Sequence, residues 1–504
     1  MAGRGNPLFS HPDNIEFAGD YRLSNIVIHN HEGEGFSSNE RGVDIKALVQ
    51  EFNLYESIYK TAMTGSVVVV DTINLIGRLP IQGTERISFK LTTPGATDGM
   101  IDCSERSGHP MHVYKLTNKQ QVSEGTQIYT LHFCSREFLR NLRTKVSQSY
   151  SGRYDEMVRS IFEDKDYLDS RKRLFVEKTR NQDKVVIPNL SPFEAIDFMS
   201  NRSLADDKSG AGFHFYETTK GFHFRSWESL CVKANKSSRE PKQVFRYMAQ
   251  NIDDPRLTPE KNQKLANKIV HDYTSVESYR FLNNFHDVAA NTALGTYGHR
   301  VITHNIYDKS YKEDDYHYHK SFADTQHTDK RFNNFAIVDS PVDWDTTDDT
   351  PPRNKGVSDY PESRVTVQPT TQFAHGEDTG AFGIDVSQDG IIEGERLAQS
   401  NQIHSGTKLQ MTIKGQSYLQ SGDLIEFQVR SVDADNTDGD QDPQYAGHYI
   451  ITKIRHRVTD TDYIQIIECS KDSVRKRYAT NNEKTFYGIA SSEHPKYTEI
   501  NDLD

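Results

Sequence analysis

The chain has few cysteines, no long apolar run and no surplus of positive charge. None of its four cysteines lies in a Cys-x-x-Cys pair, so neither a zinc ribbon nor a disulfide framework is indicated. The longest aliphatic run, Val67 to Val70, is far shorter than the ~18 residues that a membrane span needs. The net charge of -12 argues against nucleic-acid binding, because contact with phosphates needs concentrated Lys and Arg. We expect a soluble chain with no specific nucleic-acid binding and no membrane contact.

Signatures of catalysis are also missing. The sequence contains no nucleophile elbow, no phosphate-binding loop and no dinucleotide fingerprint. Carboxylates are abundant, but no spacing singles out a pair fit for glycoside hydrolysis. The first residues carry no apolar stretch, so we expect no signal peptide. The sequence predicts a protein that is not an enzyme and holds no cofactor.

Two polar segments resemble metal sites without meeting the requirements of one. His317 and His319 alternate and would share one face of a strand, yet no spaced Cys or Glu partner accompanies them. The acidic run 433–442 resembles a calcium loop but lacks the glycine at the sixth position and the glutamate at the twelfth. We predict no metal site, and the sequence leaves open a looser cation contact at either segment.

What the chain does contain is a β-rich module that is present twice. When Cys134 is aligned with Cys469, Lys115 and Lys453 fall within three residues of equivalence, a difference that one turn can absorb. Further matches upstream pair segments 79–91 with 411–429 and 63–71 with 297–303. The alternative is that β-strands look alike and the match is chance. A true duplication would let a threefold assembly present six similar units.

Hydrophobic periodicity divides the chain into blocks. Segments 87–91 and 129–133 alternate apolar and polar residues, which indicates antiparallel strands with one wet face. Ser191, followed by Pro192 and Glu194, predicts a helix that begins with a capping box. The aromatic segment 213–224 predicts a hairpin with paired phenylalanines.

We predict a mainly β fold with an α+β part: two tube-like antiparallel β-barrels in one chain, a small α+β domain and a long loop-rich insertion. The expected boundaries are an N-terminal arm 1–18, a first barrel 19–135, an α+β domain 136–250, a second barrel 251–310 and 405–472, a polar insertion 311–404 and a C-terminal docking tail 473–504.

Several of these segments resemble the central baseplate hub protein of contractile-tailed, T-even-like phages. The similar stretches are 52–58, 64–71, 79–85, 191–194 and 422–427. The insertion and the C-terminal tail are longer than the pattern of that family, which leaves the peripheral partners open.

The resemblance implies a homotrimer whose two barrels per subunit form a pseudo-sixfold ring around the DNA passage. The implied partners are the central spike protein, the tail tube or tube-initiator proteins and the baseplate wedge proteins, in a virion tail assembled in the host cytoplasm. Leu54, Tyr55, Ile58 and Val301 are the expected subunit-interface residues, with Leu54, Ile58 and Val301 buried only after trimerisation. We expect acidic and neutral polar side chains to line the channel.

Two other functions remain as alternatives. A hub-like spike of a type VI secretion or related injection machine would be indicated by a trailing β-helix, and residues 473–504 show no such short repeats. A tail-associated peptidoglycan hydrolase would use the His or Asp clusters, and chelator-sensitive lysis of cell walls would identify it.

Overall fold

The computed structural model describes most of the chain. The described residues are 18–34, 42–79, 81–94, 99–206, 210–232, 240–247, 270–282, 287–305, 309, 311–322, 324–329, 356–370, 394, 396–397, 406–431, 441–442 and 444–475. They form one 15-stranded sheet and three small sheets. The acidic run 433–442 and the C-terminal tail lie almost entirely outside the described residues.

The first barrel unit is the part of the large sheet built by residues 22–134. Its elements are β1 (Arg22–Leu23), β2 (Val27–His29), β3 (Val43–Asp44), β4 (Val49–Ser57), β5 (Thr64–Asp71), α1 (Leu75–Arg78), β6 (Arg86–Thr92), β7 (Met100–Cys103), β8 (Met111–Ser123) and β9 (Thr126–Cys134). Its main strands follow the order β4-β5-β9-β8-β6. The sheet curls around one core, because Phe52 on β4 and Phe89 on β6 meet with ring centroids 4.7 Å apart.

An α+β domain follows. It contains α2 (Arg136–Arg143), β10 (Ser149–Arg153), α3 (Tyr154–Glu163), β11 (Leu174–Val176), β12 (Gln182–Val186), α4 (Pro192–Ser200), β13 (Phe213–Thr218), β14 (Gly221–Ser226) and α5 (Trp227–Cys231). The predicted capping box is confirmed, because the Ser191 N–H donates to the Glu194 carboxylate at 2.8 Å and Pro192 opens α4.

The aromatic hairpin of this domain is β13–β14. Phe215 lies directly opposite Phe224, and the rings of Phe215 and Phe222 stack at 5.4 Å. Gly221 begins β14 with φ of +138°, where a Cβ atom would clash with the Arg173 carbonyl oxygen. Only glycine therefore fits the point at which β14 turns to lie beside β11.

The remaining strands belong either to the large sheet or to a small one, and two short helices lie between them in sequence. They are β15 (Gln243–Arg246), β16 (Val276–Phe281), α6 (Val288–Ala293), β17 (Gly298–Asn305), β18 (Tyr311–His317), α7 (Tyr318–Ser321), β19 (Val365–Thr370), β20 (Thr407–Lys414), β21 (Leu424–Gln428), β22 (Gly447–Thr459) and β23 (Tyr463–Lys471). The second barrel unit consists of β15, β16 and β20–β23, in the order β16-β20-β23-β22-β21-β15. An isolated parallel bridge from Arg246 to Ser275 brings the end of β15 back to the start of β16.

Strands β18, β17 and β19 form a separate sheet. Val301 lies on β17 and is fully buried there, so it is not a residue of the second barrel unit. Segment 311–404, predicted to be a loop-rich polar insertion, supplies β18 and β19 to this sheet. Both strands pair with β17, and this pairing satisfies their backbone N–H and C=O groups. The polar side chains of the segment gave no sign of such pairing.

The described part of this insertion is fastened to the second barrel unit at Asp472. The buried Asp472 carboxylate accepts hydrogen bonds from the Thr328 N–H at 3.1 Å and from the Thr328 hydroxyl at 2.8 Å, and it pairs with His327 at 2.8 Å. Burial raises the pKa of Asp472, but the neighbouring His327 and the Thr328 hydrogen bonds outweigh it, and the net shift is downward. Buried polar contacts therefore hold the part of the insertion around His327 and Thr328.

Candidate assembly interface

The two barrel units are built on one strand plan. The matched strands, first unit before second, are β4 with β16, β5 with β20, β6 with β21, β8 with β22 and β9 with β23. Each matched set pairs in the same order and the same antiparallel sense. The core follows the plan too: Phe52 meets Phe89 in the first unit, and the matched Tyr279 and Phe427 meet at 5.4 Å in the second.

Irregularities of the strands fix the residue-by-residue match. The β8–β9 pair has a bulge between Val113 and Lys115, and the β22–β23 pair has one between Ile451 and Lys453. Lys115 and Lys453 are therefore equivalent, as the sequence alignment implied. A bulge is a local, specific feature of a ladder, so its recurrence is stronger support for duplication than strand order alone.

A second shared bulge lies on the strands that begin the plan. It falls between Val49 and Glu51 on β4 and between Val276 and Ser278 on β16. From it, Glu51 is equivalent to Ser278, and Asn53 is equivalent to Arg280.

Parts of the sequence alignment were wrong in detail. Cys134 faces His112, whereas Cys469 faces Ile451 one position further along, so Cys469 matches Phe133. Segment 411–415 belongs to β20 and matches β5, not segment 79–83. Segment 297–303 belongs to the small sheet and has no counterpart in the first unit. Short apolar segments align by eye in several registers, and the hydrogen-bond ladder decides among them.

The two units join edge to edge inside the chain. Strand β4 pairs antiparallel with the second half of β22, from Ser57 opposite Lys453 to Glu51 opposite Thr459. Val458 and Tyr463 of the second unit are buried in the core cluster of the first. This joint makes the two half-sheets one continuous sheet.

A carboxylate clamps the solvent side of the joint. Glu51 on β4 binds Arg455 at 3.0 Å and Arg457 at 2.9 Å, both on β22. Asn53 donates to Glu51 at 2.8 Å and accepts from Arg455 at 2.9 Å. Partial burial raises the pKa of Glu51, but the hydrogen bonds from Asn53 and Arg457 and both arginine charges outweigh it, so the net shift is downward.

A second carboxylate joins three parts of the molecule. Glu56, also on β4, is 2% exposed. It accepts hydrogen bonds from the Thr219 N–H of the α+β domain at 3.2 Å and from the Ser421 N–H of the second unit at 3.0 Å. Because the buried carboxylate satisfies donors from two other parts, it fixes their positions relative to the first unit.

A buried charge cluster fastens the α+β domain to the first unit. Lys172 binds Glu217 at 2.6 Å and Glu137 at 3.0 Å, and the side chains of both glutamates are at most 3% exposed. The other Glu217 oxygen accepts the Met63 N–H, just before β5, at 2.8 Å. Burial lowers the pKa of Lys172, but the two carboxylates outweigh it and the net shift is upward, so the lysine is charged.

Three of the four predicted interface residues are already buried within a single chain. Leu54, Ile58 and Val301 are at most 1% exposed within a single chain, so trimerisation is not needed to bury them. Tyr55 is half-buried on β4, where the Arg455 guanidinium lies 6.0 Å from its ring. Alternation placed Leu54 and Ile58 on apolar faces correctly, but it could not tell a face buried by the same chain from one buried by another.

Sequence reasoning missed the charged residues of the joint. Glu51 and the alternating Arg455 and Arg457 carry the signal that could have found them, since opposite charges at same-face positions of two strands suggest cross-strand pairing.

Among the described residues, no cluster of three or more His, Cys, Asp or Glu side chains is arranged to hold a metal ion. His317 lies near the Ser358 carbonyl at 3.1 Å, and the His319 side chain lies outside the described residues. None of the helices among the described residues is long and apolar enough to cross a membrane.

No protein-family model matches the sequence, and no curated protein matches it. Among solved structures, a tail protein from Neisseria meningitidis MC58 is 8% identical, with 90% of this chain and 97% of that chain covered and a TM-score of 0.44. The 43 kDa tail protein of prophage MuSo2 from Shewanella oneidensis is 9% identical, with 90% and 100% covered and a TM-score of 0.46. A type VI secretion system component of E. coli, described as similar to T4 bacteriophage tail proteins, is 8% identical, with 84% and 73% covered and a TM-score of 0.33.

Proposed function

We propose that this chain is a structural hub of a contractile phage tail baseplate, in which three copies form a ring of six near-equivalent barrel units. The observation that supports the proposal most is the internal duplication, down to two shared bulges and a matched aromatic pair. Such a ring is threefold in its chains and nearly sixfold in its barrels. It suits a joint between a hexameric tail tube and a trimeric central spike.

The proposed partners are those that the resemblance to baseplate hub proteins implies. A second and third copy of this chain complete the ring, and the spike, the tail tube or tube-initiator proteins and the baseplate wedge proteins contact its surfaces. The net charge of -12 suits a channel that DNA crosses without adhering, because like charges repel along the phosphate backbone. A channel lined mainly by Lys and Arg would contradict this part of the proposal.

The oligomer is the direct test. Sedimentation analysis of the purified full chain should give a trimer mass, and images along the symmetry axis should show a ring of six lobes in three repeating pairs. A monomer at all concentrations, or a twofold particle, would overturn the proposal. A related injection machine would use the same ring, and immunodetection of the chain in purified virions rather than in secretion particles separates the two.

An enzymatic role has its own test. We expect no hydrolysis of purified cell walls by the full chain, with or without a chelator. Chelator-sensitive lysis would instead assign the chain as a peptidoglycan hydrolase.

A further inference from the structure

We infer that neighbouring copies of this chain join by pairing β16 of one copy with the outer half of β8 of the next, in the register that β4 and β22 use inside the chain. The inference rests on the proposed ring and names the surface that builds it. Strand β4 corresponds to β16, and β22 corresponds to β8. The joint inside the chain thus has a counterpart made of two separate strand edges: β16, which ends the strand order, and the outer half of β8, which extends beyond its short pairing with β6.

The first half of that counterpart is the outer edge of β8. Strand β8 pairs with β9 along its length but with β6 only at His112 and Met111. Beyond them its residues are mostly exposed, with Tyr114 at 42% and Val122 at 61%. The matched half of β22 alternates between buried and half-buried after Lys453, because β4 covers it.

The second half is the outer edge of β16. Among the strands that the structure describes, β16 pairs with β20 alone, and the bridge from β15 reaches only Ser275. Ser278 and Arg280 are exposed, whereas the matched Glu51 is half-buried and Asn53 is 3% exposed. Open strand edges are liabilities that proteins usually cover, and here both open edges belong to the same strand plan.

The shared bulges and the facing strands β9 and β23 transfer the register from one joint to the other, because β8 has a further bulge between Thr117 and Gln120 that β22 lacks. Gln120 corresponds to Arg457, because each faces the matched isoleucine of its hairpin, Ile128 or Ile464. Arg457 faces Asn53, and Asn53 corresponds to Arg280. Gln120 of one copy therefore lies opposite Arg280 of the next. By the same steps Gln121 lies opposite Tyr279.

The side chains of the proposed β16–β8 joint are compatible with that register, but they differ from those of the β4–β22 joint within the chain. The clamp formed by Glu51, Arg455 and Arg457 is replaced by Ser278, Thr117 and Gln120, which carry no charge. Arg280 meets an amide rather than another cation, so no like-charge pair opposes the contact. The joint between copies should therefore be less sensitive to salt than the one within the chain.

The contact is head to tail, since β16 of each copy meets β8 of another. Contacts of this kind close into rings when the rotation between units divides a full turn, and otherwise form open filaments. If both joints rotate their units equally, the chain's two units alternate around the ring. The occupant of each edge is then a second copy of this chain.

Cross-linking tests the register directly. Gln120→Cys combined with Arg280→Cys should give disulfide-linked dimers and trimers of the full chain on a non-reducing gel after mild oxidation. All four native cysteines are buried and should not compete. Arg457→Cys with Asn53→Cys is the matched control, which should close a disulfide within one chain without raising its mass. Gln121→Cys with Arg280→Cys places the two thiols on opposite faces of the sheet and should link poorly.

The outcomes separate this inference from the proposed function. Wild-type trimers without a Gln120–Arg280 cross-link would overturn the edge pairing and leave the ring standing. Equal cross-linking of the in-register and opposite-face pairs would overturn the register. A chain that is monomeric by sedimentation and does not cross-link would overturn both. As a second measurement, Thr117→Arg and Gln120→Arg with Ser278→Glu and Arg280→Asn supply the counterparts of Arg455, Arg457, Glu51 and Asn53, and should tighten trimer assembly about tenfold, as two ion pairs allow.

Discussion

The two barrel units share a strand plan but differ in what covers their edges. In the first unit, β4 is covered by β22 of the same chain, and Glu51 there binds two arginines. In the second unit the matched Ser278 on β16 is exposed. The α+β domain contacts the two units through different residues: its buried Glu217 accepts the Met63 N–H of the first unit, and its Thr218 hydroxyl donates to Gln420 of the second. The comparison teaches that the matched edge strands carry different side chains where β4 is paired with β22 and where β16 pairs, among the described strands, with β20 alone.

The largest expected effect comes from breaking the buried charge cluster that fastens the α+β domain to the first unit. Lys172→Met leaves the buried carboxylates of Glu137 and Glu217 without their cation, and we expect the free energy of unfolding to fall by ~3–5 kcal/mol. Urea denaturation measures it. The control is Lys453→Met in the second unit, where the lysine is 49% exposed and its ion pair with Glu468 should contribute less than ~1 kcal/mol. Equal losses in the two variants would show that the buried cluster is not special.

The next effect concerns the three-way contact at Glu56. Glu56→Ala leaves the N–H groups of the half-buried Thr219 and the buried Ser421 without this acceptor, which should cost about 2–4 kcal/mol of unfolding free energy. Glu56→Gln keeps one acceptor oxygen and should lose about half as much, in the same urea measurement. A neutral Glu56→Ala variant would argue against a role for this residue in fixing the three parts.

A smaller effect is expected at the clamp, where the matched position provides the control. Glu51→Gln should cost about 1 kcal/mol, because the two arginines remain partly exposed to solvent. Ser278→Ala, at the equivalent position of the open edge, should leave the stability of an isolated chain unchanged.

Acid should remove the difference in stability between the wild-type chain and Glu51→Gln. The folded-state pKa of Glu51 is lowered, so its stabilising contribution is present above the ordinary carboxyl range and is lost as the pH falls through the lowered value. Denaturation at a series of pH values checks the sign: wild type and Glu51→Gln should converge toward low pH. A gap that widens in acid would contradict the assignment.

The smallest effect concerns the urea concentration at which a buried cysteine of each unit becomes reactive. Burial raises the pKa of the Cys134 thiol in the first unit to about 12 and raises that of Cys469 in the second. Neither should react with a thiol reagent at neutral pH in the folded chain. Because one sheet joins the units, both should become reactive over the same range of urea concentration, as peptide mapping would show. Separate ranges would mean that the units unfold independently.

The sequence predicted the fold class more successfully than the details of the match. Alternation in segments 87–91 and 129–133 identified strands β6 and β9, and the capping box at Ser191 located the start of α4. These features are local, so neighbouring residues determine them. The equivalence of Lys115 and Lys453 survived because both lysines follow the same bulge.

The interface was harder to predict because burial depends on partners distant in sequence. Leu54 faces a core that includes Val458, contributed by the other unit of the same chain. Val301 lies in a segment whose sequence resembles a barrel strand, but that segment, β17, pairs with β18 and β19 in another sheet. Alternation identifies a buried face without identifying what buries it.

The joint between β4 and β22 changes how a ring of this chain would form. Two units held on one polypeptide meet at a high effective concentration, so their contact forms during folding and does not depend on dilution. In a closed ring of three chains, half of the seams would already be sealed before any two molecules collide. Dilution would then act only on the other half, and a dissociated particle would yield paired units rather than single ones.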